Sequence, residues 1–167
     1  MSLDINIDIL GSDTLRRAFA SSPRIVREHL KDVVGTVAYT IEGKAKINAT
    51  HQTSALRGSI HTEGPKVEVG GDIEARVGTN IRYAPYQEYG TGIYAEPPEG
   101  VSAKRQPITP KKGRFLVFKI GGKTIFARSV RGVKPKKYFE RAKKETLPRI
   151  DTLLKDALKQ ITEDLAQ

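Results

Sequence analysis

Val26, Leu30, Val33, Val37, Ile41 and Ala45 recur at spacings of four and three, which places them on one stripe of an α-helix. The helix they predict opens at Ser22-Pro23, with serine as N-cap and proline at the first helical position, and reaches about Asn48. At ~1.5 Å per residue it is roughly 35–40 Å long. Such a rod cannot leave its apolar stripe in water, so the rest of the chain has to supply a sheet or other helices to cover it. The 167 residues suffice for one domain with a real core, and a single domain over 1–167 is the expectation. Hydrophobic residues make up only 38% and charged residues 29%, so much of the chain must face water or a partner.

The covering elements are readable to different depths. Leu3, Ile5, Ile7 and Ile9 alternate with Asp4, Asn6 and Asp8, the period-two signature of a strand with one wet face. Gly11-Ser12-Asp13 supplies a turn and a cap for a short helix through Ala20. Residues 49–80 alternate polar and apolar positions around Gly64-Pro65 and Gly70-Gly71-Asp72, which predicts two or three strands joined by tight turns. Residues 90–113 carry prolines at 97, 98, 107 and 110 without periodicity; a loop of that length inside a domain is a candidate contact element. "RFLVFKIGGKTIFARSV" then predicts a β-hairpin over 114–129, turning at Gly121-Gly122. Tyr138, Phe139, Ala142, Leu147, Ile150, Leu154, Ala157, Ile161 and Leu165 predict a C-terminal helix, bent at Pro148, whose apolar face docks on the sheet. The fold class is therefore α+β: a small, mostly antiparallel sheet covered by a long N-terminal helix and a C-terminal helix, with a prominent hairpin and a long loop.

Charge is divided unevenly along this plan. The net charge is +10, yet residues 101–144 hold fifteen lysines and arginines against one acid, Glu140, while the remainder holds fourteen bases and eighteen acids. Such asymmetry suits a polyanion partner or head-to-tail contact between copies. Without cysteine there are no disulfides or thiolate ligands, and nothing demands an oxidising compartment. No apolar run approaches the ~20 residues of a membrane span, and the start lacks a signal-peptide pattern. The expectation is a soluble product of the cytosol with no membrane role.

Catalytic chemistry is hard to find. His29, His51 and His61 lack a second ligand at metal-pair spacing. Ser54 and Ser59 have no strand–turn–helix glycine frame and read as turn and strand residues. Gly70, Gly71 and Gly78 match neither phosphate-loop nor dinucleotide spacing. Glu68 with Asp72 or Glu74 is what an alternating strand with an exposed face produces anyway. No enzyme, cofactor, metal or small-molecule substrate is expected, and a histidine-based hydrolase ranks last among the function classes. The basic stretch supports an alternative: a nucleic-acid-binding module using residues 101–144. There Lys104, Arg105, Lys111, Lys112 and Lys123 would contact the polyanion, and Phe115, Phe118 and Phe126 could stack on bases. Against it, the hairpin pattern assigns those aromatics to a core face and the lysines to turn and edge positions, and no recognition helix or aromatic platform motif is present.

Three short motifs settle the preferred reading. "TSALRGSI" (53–60), "VGTNIRYAPYQEYGTG" (77–92) and "KPKKYFERA" (134–142) together resemble, in order and spacing, the head-tail joining or tail-completion family of long-tailed, lambdoid-type phages. Thr53, Leu56, Arg57, Ser59 and Ile60 fill the first element, with Ser54 where glycine is usual. Val77, Gly78, Thr79, Tyr83, Ala84, Tyr86, Glu88, Gly90 and Thr91 fill the second. In the third, Lys137 and Arg141 replace prolines and Tyr138 replaces phenylalanine. The resemblance implies a non-enzymatic virion component made in the host cytoplasm and carried into the virion at the head-tail junction or tail. It further implies phage connector and tail tube proteins as partners and assembly as a homo-oligomeric ring; non-specific proximity to DNA is a separate expectation from the basic stretch. Leu56, Arg57, Tyr83, Tyr86, Glu88, Tyr89, Gly90 and Thr91 are its candidate interface residues. A short helical turn is expected at Tyr83, Ala84 and Tyr86. The plainer alternative is that these tyrosines cap the core.

Overall fold

A computed structural model describes residues 3–6, 24–49, 54–102 and 104–165. The strand alternation beyond Asn6, the short helix through Ala20 and the Ser22-Pro23 cap fall outside the described residues, as does His51. The secondary structure runs β1 (Leu3–Asn6), α1 (Arg24–Asn48), α2 (Ser54–Ser59), β2 (His61–Val67), β3 (Ile73–Thr79), α3 (Ala84–Tyr89), a 3-10 turn at Gly92–Tyr94, β4 (Leu116–Ile120), β5 (Lys123–Ala127) and α4 (Tyr138–Leu165). Contacts divide the chain into two compact units, one formed by Met1–Arg82 with Tyr138–Gln167 and one by Tyr83–Lys137.

The first unit is layered around α1. A three-stranded antiparallel sheet in the order β1-β3-β2 lies against one side of it. β3 is central, pairing Leu3 with Thr79 on one edge and His61 with Gly78 on the other. The register between β2 and β3 shifts between Glu63 and Lys66. β3 reads as the central strand should: Ala75, Val77, Gly78 and Thr79 are buried. On α1, the buried residues Val26, Val33, Gly35, Val37, Ala38, Ile41 and Ala45 spread over slightly more than half of the helix circumference. A helix so broadly apolar needs cover on two sides. Gly35 faces the sheet, where an added Cβ would stand 3.4 Å from the Pro65 ring of β2. α4 covers α1 elsewhere, running antiparallel to it. His29 Nε2 lies 2.7 Å from Asp164 Oδ2 near one end, and Lys44 Nζ donates to the Glu145 carbonyl near the other.

Two expectations change here. The C-terminal helix docks principally on α1 and not on the sheet, because α1 already occupies the sheet face. Phe139, Ala142, Thr146, Ile150, Ala157 and Ile161 form its buried stripe, while Leu147 and Leu158 stay exposed. It also runs unbroken through Pro148. Residues 54–59, read as turn and strand, instead form the single-turn helix α2. Leu56, with no exposed surface, anchors it, and the Ser59 hydroxyl donates to the Leu56 carbonyl at 2.8 Å.

That serine links the first two sequence motifs. Ser59 Oγ is 2.6 Å from Thr79 Oγ1, which also receives the Ile81 amide at 3.3 Å. Ser59 spends its one proton on Leu56, so Thr79 must be the donor between the two hydroxyls. Thr79 is 2% exposed, and a buried donor or acceptor stripped of its partner is costly. Thr79→Val keeps the shape but removes the bond that Ser59 accepts and leaves the Ile81 amide without its acceptor. We expect it to lower unfolding free energy by about 1–3 kcal/mol in chemical denaturation; an unchanged midpoint would show the relay to be idle.

Glu42 gives the fold a pH dependence. Burial raises its pKa, but the hydrogen bond and charge of Lys46, one turn along α1, together with Thr62 on β2, outweigh burial and hold it below its ordinary value of 4.5. A lowered carboxyl pKa stabilises the fold above the unfolded-state value, and that contribution disappears as pH falls through the folded-state value. The stability of the parent chain should therefore drop more steeply than that of Glu42→Gln when denaturation curves are taken from about pH 6 down to about pH 3. Parallel curves would remove Glu42 from the account.

Candidate functional site

The segment that carries the second motif leaves β3 and builds much of the second unit. Pro85 sits in the first turn of α3, where its missing N–H costs nothing, and the Tyr86 and Gln87 amides both donate to the Tyr83 carbonyl. The expected helical turn at Tyr83, Ala84 and Tyr86 is thus present. Gly90 ends it at φ 71°, a left-handed conformation. A Cβ there would stand 2.7 Å from the Tyr94 carbonyl and 2.8 Å from that of Val133. Only glycine fits.

What crowds Gly90 is a return segment, residues 131–137, laid along the motif. The Thr91 amide donates to the Val133 carbonyl at 2.8 Å and the Val133 amide donates back to Thr91 Oγ1 at 2.9 Å. Ile93 donates to the Arg131 carbonyl, and the Lys136 amide donates to the Gln87 carbonyl at 2.7 Å. The motif's Gly-Thr pair is therefore a backbone clamp. Its partners at 131–133 were not singled out from the sequence, since "RGVKP" has no periodicity and only Gly132 hints at close packing. The clamp ends at Lys137, whose φ of 52° is closed to proline, fixed near −65°. The proline that the resemblance leads one to expect there would not fit this backbone. Lys137 Nζ also lies 2.7 Å from Glu96 Oε2 and draws that exposed carboxyl below the ordinary range.

The candidate interface residues separate by burial. Leu56, Glu88 and Gly90 are buried, Glu88 with 1% of its surface exposed. Arg57, Tyr83, Tyr89 and Thr91 are half-buried, and Tyr94 lies under the Lys134 ammonium at 5.7 Å. Tyr86 is open, at 60% exposure. The motif thus presents one tyrosine outward and uses its other residues largely in packing.

Beyond the clamp the chain has little regular structure until the hairpin. The 3-10 turn at Gly92–Tyr94 and an antiparallel bridge between Ile108 and Val130 interrupt the 90–113 loop and its continuation. Arg105 Nε donates to the Ala95 carbonyl at 3.0 Å, and Lys104, Arg105, Lys111, Lys112 and Lys123 all lie in exposed positions. β4 and β5 pair as expected, with Leu116 opposite Ala127 and Ile120 opposite Lys123. Gly121 and Gly122 both have positive φ, at 55° and 79°, as a two-residue I′ turn requires. The assignment of the hairpin aromatics to a core face does not hold for two of the three. Phe118 is half-buried, but Phe126 is 66% exposed, and Phe115 and Val117 are open as well. The physical reason is plain: among the described residues of 83–137 only Ala84, Glu88 and Gly90 are buried, so this unit holds no apolar layer to cover the hairpin. It does hold charge, with twelve lysines and arginines against three glutamates.

The other chemical groups stand apart from one another. His29 pairs with Asp164 and His61 hydrogen-bonds the Ser59 carbonyl at 2.9 Å. Among the described residues no three His, Asp or Glu side chains converge to hold a metal ion. The concavity lined by Glu63, Lys66, Glu68, Glu74 and Arg76 is of mixed charge, with Arg76 bound to Glu74. No described helix is long and apolar enough to cross a membrane.

Comparison with curated proteins gives no match, and comparison with solved structures gives none. Residues 13–90 match the model of the HK97-gp10-like family, described as "Bacteriophage HK97-gp10, putative tail-component". The match takes in α1, α2, β2, β3 and α3 and stops at Gly90, so it contains the first motif and nearly all of the second. Residues 13–90, a little under half of the chain, are thus similar to the HK97-gp10-like family, and the phage head-tail joining family that the motifs resemble is the family this match supports.

Proposed function

We propose that the chain is a structural component of the phage head-tail junction that acts by assembly: copies made in the host cytoplasm close into a ring, which meets the connector on one side and tail tube proteins on the other. No bond is made or broken on it. The observation that carries the reading is the tail-component match over residues 13–90. The second unit agrees with it physically. Tyr86, Val117, Ile120 and Phe126 are each at least 60% exposed in a unit with almost nothing buried, and so many large apolar side chains left in water agree with a surface that a partner covers. Closed rings bury such surfaces through heterologous contacts.

Sedimentation velocity over a concentration series, alone and with purified connector and tail tube proteins, tests the proposal. Assembly should appear in at least one arm, and a chain that stays monomeric and binds neither protein overturns it. Tyr86 and Glu88 should then behave differently. Tyr86→Ala should weaken assembly at an unchanged melting temperature, whereas Glu88→Ala should lower the melting temperature. A Tyr86→Ala chain that assembles normally but melts early would make the tyrosine a core cap.

A further inference from the structure

Residues 104–137 are the most strongly cationic part of the chain. Those residues hold all twelve bases of the second unit, while its three acids are Glu88, Glu96 and Glu99. The rest of the chain is nearly neutral, at seventeen bases against sixteen acids. Contact between copies would leave the net charge in place, and a ring would accumulate about ten positive charges per copy. Lys104, Lys111, Lys112, Lys119 and Lys123 are exposed, and among the described residues the ion pair recorded in this unit is that of Lys137 with Glu96. Like charges so crowded repel one another until a foreign polyanion neutralises them.

The hairpin tip indicates which polyanion. By register Lys119 lies opposite Thr124 and Lys123 opposite Ile120. Adjacent pairs on a two-stranded ribbon point to opposite faces, so the two lysines flank the Gly121-Gly122 turn on its two sides. A β-ribbon fits the major groove of duplex DNA, ~12 Å wide, and lysines on both faces of its tip would meet a phosphate row on either wall. The glycines between them carry no side chain to read base edges. A single strand has one phosphate row and is usually held by a run of stacked aromatics; here only Phe115 and Phe126 are open, with Phe118 half-buried.

We propose that residues 104–137 form a sequence-independent contact for the phosphate backbone of double-stranded DNA, with Lys119 and Lys123 at the hairpin tip and Lys111 and Lys112 in the loop before it. This goes beyond the assembly reading and stands without it. The test is fluorescence anisotropy of the full chain with a labelled duplex of about 30 base pairs, from about 50 to 200 mM salt. With about six phosphates engaged, affinity should fall roughly 10³-fold over that range, and duplexes of unrelated sequence should bind within about twofold of one another. The paired variant Lys119→Ala with Lys123→Ala, and the pair Lys111→Ala with Lys112→Ala, should each reduce the log–log salt slope by about two. Lys155→Ala with Lys159→Ala, on α4, should leave it unchanged. Melting curves confirm that each variant folds. Absence of binding at 50 mM salt, an unchanged slope in both loop and tip variants, or tighter binding to a single strand of equal length would overturn the proposal. So would poly-glutamate competing as well per charge as DNA, which would redirect the surface to an acidic protein. A chain that stays monomeric and binds neither connector nor tail tube protein, yet grips the duplex, removes the ring and keeps this contact.

Discussion

Burial of α1 on two sides is the constraint from which the first unit follows. A helix whose apolar positions run from Val33 around to Gly35 cannot be satisfied by a three-stranded sheet alone, so the chain must bring a second helix to it. α4 does so from the far end of the sequence, beginning with Tyr138 and Phe139, both fully buried with ring centroids 4.9 Å apart. The small residues Gly35, Ala38 and Ala45 let neighbours approach the axis closely, and cross-links at His29 and Lys44 fix α4 in an antiparallel sense. The motif residues Leu56, Ser59 and Thr79 then lock α2 to the central strand. In this unit the family's signature is mostly a record of packing.

How much of this was legible in the sequence depended on whether a residue's neighbours were implied by its own periodicity. α1 was plain, since its stripe repeats over six positions. The Gly121-Gly122 hairpin was plain too, because the turn geometry demands positive φ at both positions. Residues 54–59 were misread for the opposite reason. Ser54, Gly58 and Ser59 are weak helix formers, and six residues are too few to show a period; the turn exists because Leu56 is pinned in the core. Where α4 docks was also hidden, as an apolar stripe says that it must be covered but not by what. The same limit explains Phe126: alternation tells which face of a strand it occupies, and only the three-dimensional inventory of apolar layers tells whether that face is covered.

The second unit follows different economics. An isolated two-stranded hairpin is marginal in water, and this one gains little help from burial within 83–137. Its order rests on backbone hydrogen bonds, chiefly the exchange between Thr91 and Val133 and the bridge between Ile108 and Val130. Each such bond contributes modestly, about 0.5–1.5 kcal/mol net. The fold of this unit is thus specified largely by geometry at Gly90 and Thr91, while many of its exposed lysines take no part in its packing.

Freedom from structural duty is what lets charge accumulate there. In the first unit acids and bases are in near balance. In the loop and hairpin they are not, and the sequence fills exposed positions with cations at little cost to packing. Selection for stability alone gives no reason to choose the same sign twelve times, because self-repulsion works against the compact state. A uniform sign on an otherwise idle surface is therefore best explained by what it meets outside the chain. That separates the two units: the motif-bearing packing preserves a shape, and the cationic arm is the proposed contact for DNA.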